Sequence, residues 1–553
     1  MAARQSLGRH IGTVVGNTSP QEFTFFLRQF EAKLGDIVTV SMEVPASEGP
    51  APVIVWGRVV NLERFNPFLP LEAGQELADE GLELVHTVLS TTRDQVQARA
   101  LVLGYTRPGN LQTLMPLNYP VTPGAEVCLP PADSVQALLT GDEQVNRLRI
   151  GTLLGRKDVE VSLKTNAVVA RHMAILAMTG GGKTVAARRI IRELLKLRYP
   201  LVILDPHGDY LGLWENRAAL PTADIKLFYP HIKVRDESRD LIGYLVRQLT
   251  QGFTDPQREK YEEAANKVNL SEDGTDVGSF IDAVLAELEP IKSSTRHPGT
   301  VPAVMRGLRF VKKQIEAMEL SNKRLRQRLP QFPFEEMPDP ALEPEKFVRP
   351  GQASIVYLGG YDHLTQSTIV ALVLKNLFEV RASLKNRIPP LLAVIEEAHN
   401  FIPSKGEGQA ETPSVEVIRK VITEGRKFGV GLLLISQRPS RLDETTLSQC
   451  NTFLIFRLVN PRDQQFVERV MENLSKADAN LLPSFGPGQG IVSGQAVRFP
   501  LVVQVEYDRD LVSSTIADED FVAQVSKWEN SPEAQTVRQS RAFEEQLEAA
   551  EGR

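Results

Sequence analysis

The chain has 553 residues, too many for one hydrophobic core, so about two to four domains are expected. Its 42% hydrophobic and 24% charged residues fit a globular cytosolic chain, and its net charge of −6 excludes a general polycation. Any nucleic acid must therefore meet a local basic surface, such as the lining of a pore.

No apolar run approaches the ~18 residues of a membrane span, and the first residues lack a signal peptide's apolar stretch. Cys128 and Cys450 are far apart, which argues against a disulfide framework or a cysteine zinc site. A reducing, cytoplasmic setting without a membrane is the expectation.

Residues 1–165 read as β. Short alternating or β-branched runs occur at Ile11–Val15, Phe23–Leu27, Ile37–Val44, Val53–Val60 and Val96–Leu103, separated by turn-forming Gly, Pro, Asn and Asp. A small barrel or sandwich used for docking or ring assembly is the expectation. Residues 166–237 switch to α/β: Met173–Ala177 is an apolar strand, Thr184–Leu197 a helix, and Leu201–Leu204 a second strand. Residues 238–350 interrupt this pattern with helical periods at Asp255–Val268, Val277–Leu288 and Val301–Leu320, then a Pro-rich connector. Strands resume in 351–515 at Ala353–Leu358, Leu391–Ile395, Gly431–Ile435 and Thr452–Phe456. Such fully apolar runs are typical of buried parallel strands in a doubly wound domain, with ligands at their carboxyl ends. Residues 516–553 form a polar tail, frayed or braced on a neighbour, with a charged helix at Ser540–Glu548.

Three motifs carry the chemistry. AMTGGGKT, Ala177 to Thr184, joins a strand to a helix. The backbone N–H groups of such a loop converge on phosphate oxygens, so Thr179, Gly180, Gly181, Gly182, Lys183, Thr184 and Val185 are candidate ATP contacts. Lys183 would reach the β and γ phosphates, and the Thr184 hydroxyl would hold Mg²⁺. Ala177 stands where the common pattern has glycine, which is tolerable if its φ need not be positive. In LLAVIEEAHNF, Leu391 to Phe401, two carboxylates follow a strand. Glu396 would support Mg²⁺ through water, and Glu397 would orient or deprotonate the attacking water. EGRKFGVGLLLISQRPS, Glu424 to Ser440, places Gln437 past a strand, where an amide could sense the γ-phosphate. Arg426, in the helix before it, and Arg171, before the first α/β strand, are candidates to reach a neighbouring subunit's site in a ring ATPase.

Together with ILDPHGDY, Ile203 to Tyr210, these motifs resemble the HerA branch of the HerA–FtsK group of DNA-translocating ATPases. Order, spacing and the long insertion match; Ala177 and Glu396 are mild departures. The resemblance implies a P-loop, RecA-like ATPase core with an N-terminal barrel of the HerA type and a helical insertion. It implies a homohexameric ring that encloses double-stranded DNA and moves it by ATP hydrolysis in end resection or repair. A NurA-type nuclease partner is implied too, although some relatives serve other effector enzymes in phage defence. Asp205 and His207 would lie near the nucleotide, Asp205 supporting the catalytic water or the metal. Candidate DNA contacts are Lys405 in the loop after the carboxylates, Arg419 and Lys420 on the next helix, and the basic run Lys323 to Arg328. A different expectation is an ATP-binding ring scaffold that positions an effector in phage defence with little translocation; the motifs fit both.

Overall fold

In the computed structural model the β-rich N-terminal part closes on itself. Strands β1 (Arg9–Val15), β2 (Glu22–Leu27), β3 (Ile37–Ala46), β4 (Gly49–Phe65), β5 (Gln95–Arg107), β6 (Asn110–Met115) and β7 (Glu126–Leu129) form one antiparallel sheet. Their order is β2-β1-β7-β3-β4-β5-β6, and β2 pairs with β5 as well. Six strands thus close into a barrel, with β6 attached to its rim. Alternate residues such as Phe23, Phe25, Val40, Val55 and Ala98 point inward and are almost fully buried. Gly57 sits at a bulge in β4, and a Cβ there would come within 2.9 Å of the Phe23 ring. The glycine lets the large ring fill the barrel.

The structure describes residues 7–28, 31–46, 49–66, 95–143, 145–235, 242–243, 245–247, 254–271, 274–291, 299–383, 387–404, 412–471, 474–513, 521–532 and 534.

The next two strands, β8 (Arg147–Leu153) and β9 (Arg156–Lys164), leave the barrel. They extend a second sheet by pairing with a strand from the far end of the chain, Leu153 lying opposite Val503. The boundary expected at residue 165 therefore falls after a hairpin that belongs to the second sheet. Local pattern announces a strand but not its distant partner.

That second sheet is completed by β10 (Met173–Leu176), β11 (Leu201–Asp205), β12 (Asp224–Tyr229), β15 (Glu335–Glu336), β16 (Gln352–Tyr357), β17 (Leu391–Ile395), β18 (Val430–Ser436), β19 (Thr452–Ile455), β20 (Gln489–Gly494) and β21 (Leu501–Val505). The short β13 (Lys233–Val234) and β14 (Thr275–Asp276) pair apart from it. The order is β15-β12-β16-β11-β17-β18-β10-β19-β20-β21-β8-β9. From β15 to β19 every pairing is parallel; from β19 to β9 every pairing is antiparallel. Strands β10, β11, β17 and β18 are buried along their whole length, which explains their continuous apolar runs. Strand β10 lies between β18 and β19, so the loops leaving β10, β17 and β18 emerge side by side at the carboxyl ends.

The insertion contributes the helices Asp255–Ala265, Val277–Leu288 and Thr300–Arg328, the last longer than its periodic apolar stretch. Phe280, Val304 and Leu308 share one core with Val202 and Leu204 of the sheet. The barrel is tied to the same body by a buried ion pair, Arg58 to Asp478 at 2.6 Å. The tail helix Phe521–Glu529 is described, whereas the helix expected at Ser540–Glu548 lies outside the described residues. Among the described residues no helix is long and apolar enough to cross a membrane.

Candidate nucleotide site

The loop from β10 to the helix Lys183–Lys196 is built by its glycines. The Gly181 N–H closes a turn on the Met178 carbonyl at 3.0 Å, and the Met178 N–H is held by the Arg457 carbonyl at 3.0 Å. Gly180 and Gly182 have φ of 75° and 111°, left-handed values that a side chain would strain. A Cβ on Gly182 would also sit 3.1 Å from the Gly488 backbone, whose N–H binds the Gly181 carbonyl at 3.2 Å. Ala177 is fully buried and lies outside the left-handed region, so alanine meets the conformational demand of its position.

Among the described residues no acceptor takes the N–H groups of Gly180, Gly182, Lys183, Thr184 or Val185. A run of unpaired donors at the head of a 14-residue helix is suited to a polyphosphate. Thr184 and Glu396 add the hard oxygen donors that Mg²⁺ prefers. The residues present therefore fit ATP and Mg²⁺.

Two carboxylates follow β17 and differ sharply. Glu396 is 1% exposed and accepts a 2.7 Å hydrogen bond from the Tyr210 hydroxyl. Burial, with Asp209 nearby, pushes its carboxyl up to about 8. Glu397 is held by a web of cations and donors. Lys183 Nζ lies 3.6 Å from Oε1, His399 Nδ1 3.2 Å from Oε2, and the Gln437 N–H 3.4 Å from Oε2. Burial works against its charge, but His399 and Lys183 outweigh burial and hold the carboxyl below its ordinary value. Its backbone φ is 50°, a strained value for a glutamate. A charged carboxylate beside a lysine can act as a base toward water, whereas the burial of Glu396 suits it less to that task.

Gln437 meets the loop directly, with the Thr179 hydroxyl donating to its side-chain oxygen at 2.6 Å. Asp205 departs from the expected role of metal or water ligand. Its carboxylate is fully buried and accepts the N–H groups of His207, Gly208, Asp209 and Tyr210 at 2.7–3.1 Å. Burial lifts it to about 6 against the pull of those donors. The carboxylate is thus spent on shaping its own loop, which carries Tyr210 to Glu396. His207 lies exposed at the rim of this turn.

Arg171 precedes β10, and Arg426 lies in the last turn of the helix Pro413–Phe428, just before β18. Both therefore sit at the amino ends of the strands, opposite their own phosphate loop. They line a shared cavity of about 520 Å³ with Gln495, which Arg171 contacts. The expected DNA contacts fare differently. Arg419 is bound to Asp443 at 2.9 Å and Lys420 lies over the Phe378 ring, so both have partners within the chain. Lys405 lies outside the described residues. In the basic run ending the helix Thr300–Arg328, Arg326 stacks over Tyr229.

Three contributors escaped the sequence reading. Tyr210 stands five residues after Asp205 and His399 two after Glu397, both inside motifs already noted. Gly488 belongs to the run GPGQG, whose glycine density was the available signal.

Strand order, glycine loop and carboxylate pair together define the α/β, RecA-like core of a P-loop ATPase, preceded by a β-barrel. Residues 148–377 match the family described as the central domain of helicase HerA. A probable helicase of Methanocaldococcus jannaschii is 27% identical over 90% of each chain. The DNA double-strand break repair helicase HerA of Pyrococcus furiosus is 29% identical, covering 76% of this chain and 79% of its own. That of Saccharolobus solfataricus is 26% identical, covering 94% and 96%. Among solved structures, VirB4 of Thermoanaerobacter pseudethanolicus overlaps with a TM-score of 0.44 at 14% identity, over 67% of this chain and 98% of its own. The central part of the chain thus matches the HerA family model, and similarity to HerA helicases extends over most of its length.

Proposed function

We propose that this protein is an ATP-driven motor that moves double-stranded DNA through a homohexameric ring in the cytoplasm. In this reading it works with a NurA-type nuclease, or another effector enzyme, in DNA end resection or repair. The observation that carries the reading is the charged Glu397 held 3.6 Å from Lys183 beside a nest of unpaired N–H donors. The relatives named as double-strand break repair helicases supply the DNA.

Bound ATP with Mg²⁺ supplies the transferable phosphoryl group and the charge that polarises it. Lys183 and the loop N–H groups bind the phosphates. Thr184, and Glu396 through water, would hold the metal. Glu397 orients the attacking water and accepts its proton. Gln437, bonded to Thr179, reports loss of the γ-phosphate to β18. Arg171 and Arg426 serve a neighbour's site, because they face away from their own. The barrel, held by Arg58 and Asp478, stabilises the ring, and the tail braces adjacent subunits.

The test is turnover with and without duplex DNA. ATP hydrolysis should rise with DNA, and Glu397→Gln should lower it by about 10²–10⁴-fold. Turnover indifferent to DNA would count heavily against a motor. Displacement of the third strand from a triplex separates translocation from the scaffold reading, since a static ring leaves the triplex intact.

A further inference from the structure

Glu397 has a long, flexible side chain on a strained backbone, and a catalytic base must be aimed. Three groups hold it in this structure: Lys183, His399 and the Gln437 N–H. In the ATPase reading Lys183 is committed to the phosphates, which leaves His399 as the one side chain among the three. The His399 ring is itself fixed. It is 9% exposed, and Nδ1 lies 3.1 Å from the Ser436 hydroxyl. Ser436 is fully buried at the end of β18 and accepts the Arg438 N–H at 3.1 Å. Imidazole tautomers follow their neighbours, and the adjacent carboxylate selects a proton on Nδ1. That one Nδ1–H is shared between Oε2 of Glu397, the oxygen that Lys183 does not touch, and the Ser436 oxygen at the end of β18.

We infer that His399 is the positioning residue for Glu397, keeping that carboxylate aimed once Lys183 turns to the phosphates. The inference rests on the ATPase reading above. Because Gln437 follows Ser436 and binds Thr179 of the phosphate loop, His399 also ties the aim of Glu397 to the strand that senses the nucleotide. Its contact is with Glu397, and it acts through that carboxylate.

The experiment uses the full-length protein and compares His399→Ala, His399→Asn, Glu397→Gln and the His399→Ala/Glu397→Gln double variant. Turnover is measured alongside equilibrium binding of a fluorescent ATP analogue. His399→Ala should lower kcat by up to about 100-fold, with KM and analogue affinity unchanged. Asn keeps an N–H donor near the Nδ1 position, so His399→Asn should recover part of the rate. On the Glu397→Gln background the alanine substitution should cost nothing further, since the two residues act as one unit. Wild-type kcat in His399→Ala overturns the inference. So does a loss carried by affinity, an equal loss in the Asn variant, or an additive loss in the double variant. A wild-type protein that hydrolyses no ATP sinks the ATPase reading itself, and the inference with it.

Discussion

The two edges of the parallel sheet are built on opposite plans. At the carboxyl edge the loops after β10, β11, β17 and β18 are tied to one another, through Thr179 to Gln437, Tyr210 to Glu396 and Lys183 to Glu397. At the amino edge Arg171 and Arg426 line an open cavity with Gln495 and have no phosphate loop of their own. One edge gathers the glycine loop and both carboxylates; the other places two arginines beside a cavity. In the proposed ring, that difference means that a complete site would pair the carboxyl edge of one subunit with the amino edge of another.

Mixing subunits tests that claim most severely. An arginine acting in trans on a γ-phosphate is worth about 10³–10⁵ in turnover, so Arg426→Ala should reduce ATPase activity by at least about 10³-fold if Arg426 is that residue. Lys183→Ala, at the other edge, should be inactive as well. Mixed rings of the two variants should regain activity, because some interfaces pair an intact loop with an intact arginine. No recovery at any mixing ratio would show that Arg426 does not serve a neighbour, and Arg171→Ala would then take its place in the same measurement.

The carboxyl edge was largely legible in the sequence, and the reason is physical. Parallel strands buried on both faces must be apolar throughout, and a phosphate loop must be rich in glycine, so β10, β17, β18 and AMTGGGKT announce themselves. What was not legible depends on direction and distance. A carboxylate after a strand reads the same whether it points at a metal or folds back onto its own loop, and Asp205 does the latter. The hairpin β8–β9 reads as more barrel, because its pairing with β21 spans most of the chain. The strand β12, DIKLFY, was passed over between a turn and the insertion, yet it pairs along β16. The contacts of Tyr210 and His399 are not legible in sequence, since each is defined by the atom it meets across the fold.

If the carboxyl edge is shaped by Asp205, removing that side chain should loosen it. Asp205→Ala strands four buried or half-buried N–H groups, and each such loss costs about 1–3 kcal/mol before relaxation. A loss on the order of 3 kcal/mol in denaturant unfolding is the expected outcome, with Tyr210 less protected from exchange. Tyr210→Phe, which keeps the turn and drops only the hydroxyl, should cost about 1 kcal/mol. Equal losses in the two variants would mean that the turn itself contributes little.

A pH effect sits on Glu396 and separates it from Glu397 at the same edge. Burial raises the folded-state carboxyl of Glu396 from 4.5 to about 8, so the folded protein binds this proton more tightly than the unfolded chain does. Stability from that proton is full below about pH 4.5 and is lost as pH rises toward about 8. Glu397 has the reverse sign: its carboxyl is lowered, so its contribution is present above the ordinary carboxylate range and is lost as pH falls. Melting temperatures of the Mg²⁺-free protein should therefore fall more steeply between pH 5 and pH 8 than those of Glu396→Gln, an interval set by the Glu396 shift of about 4.5 to about 8. The glutamine keeps an acceptor for Tyr210 and removes the titration. Parallel curves for the two proteins would mean that Glu396 is already ionised in the folded state, and the two neighbouring carboxylates would then differ in partner but not in charge.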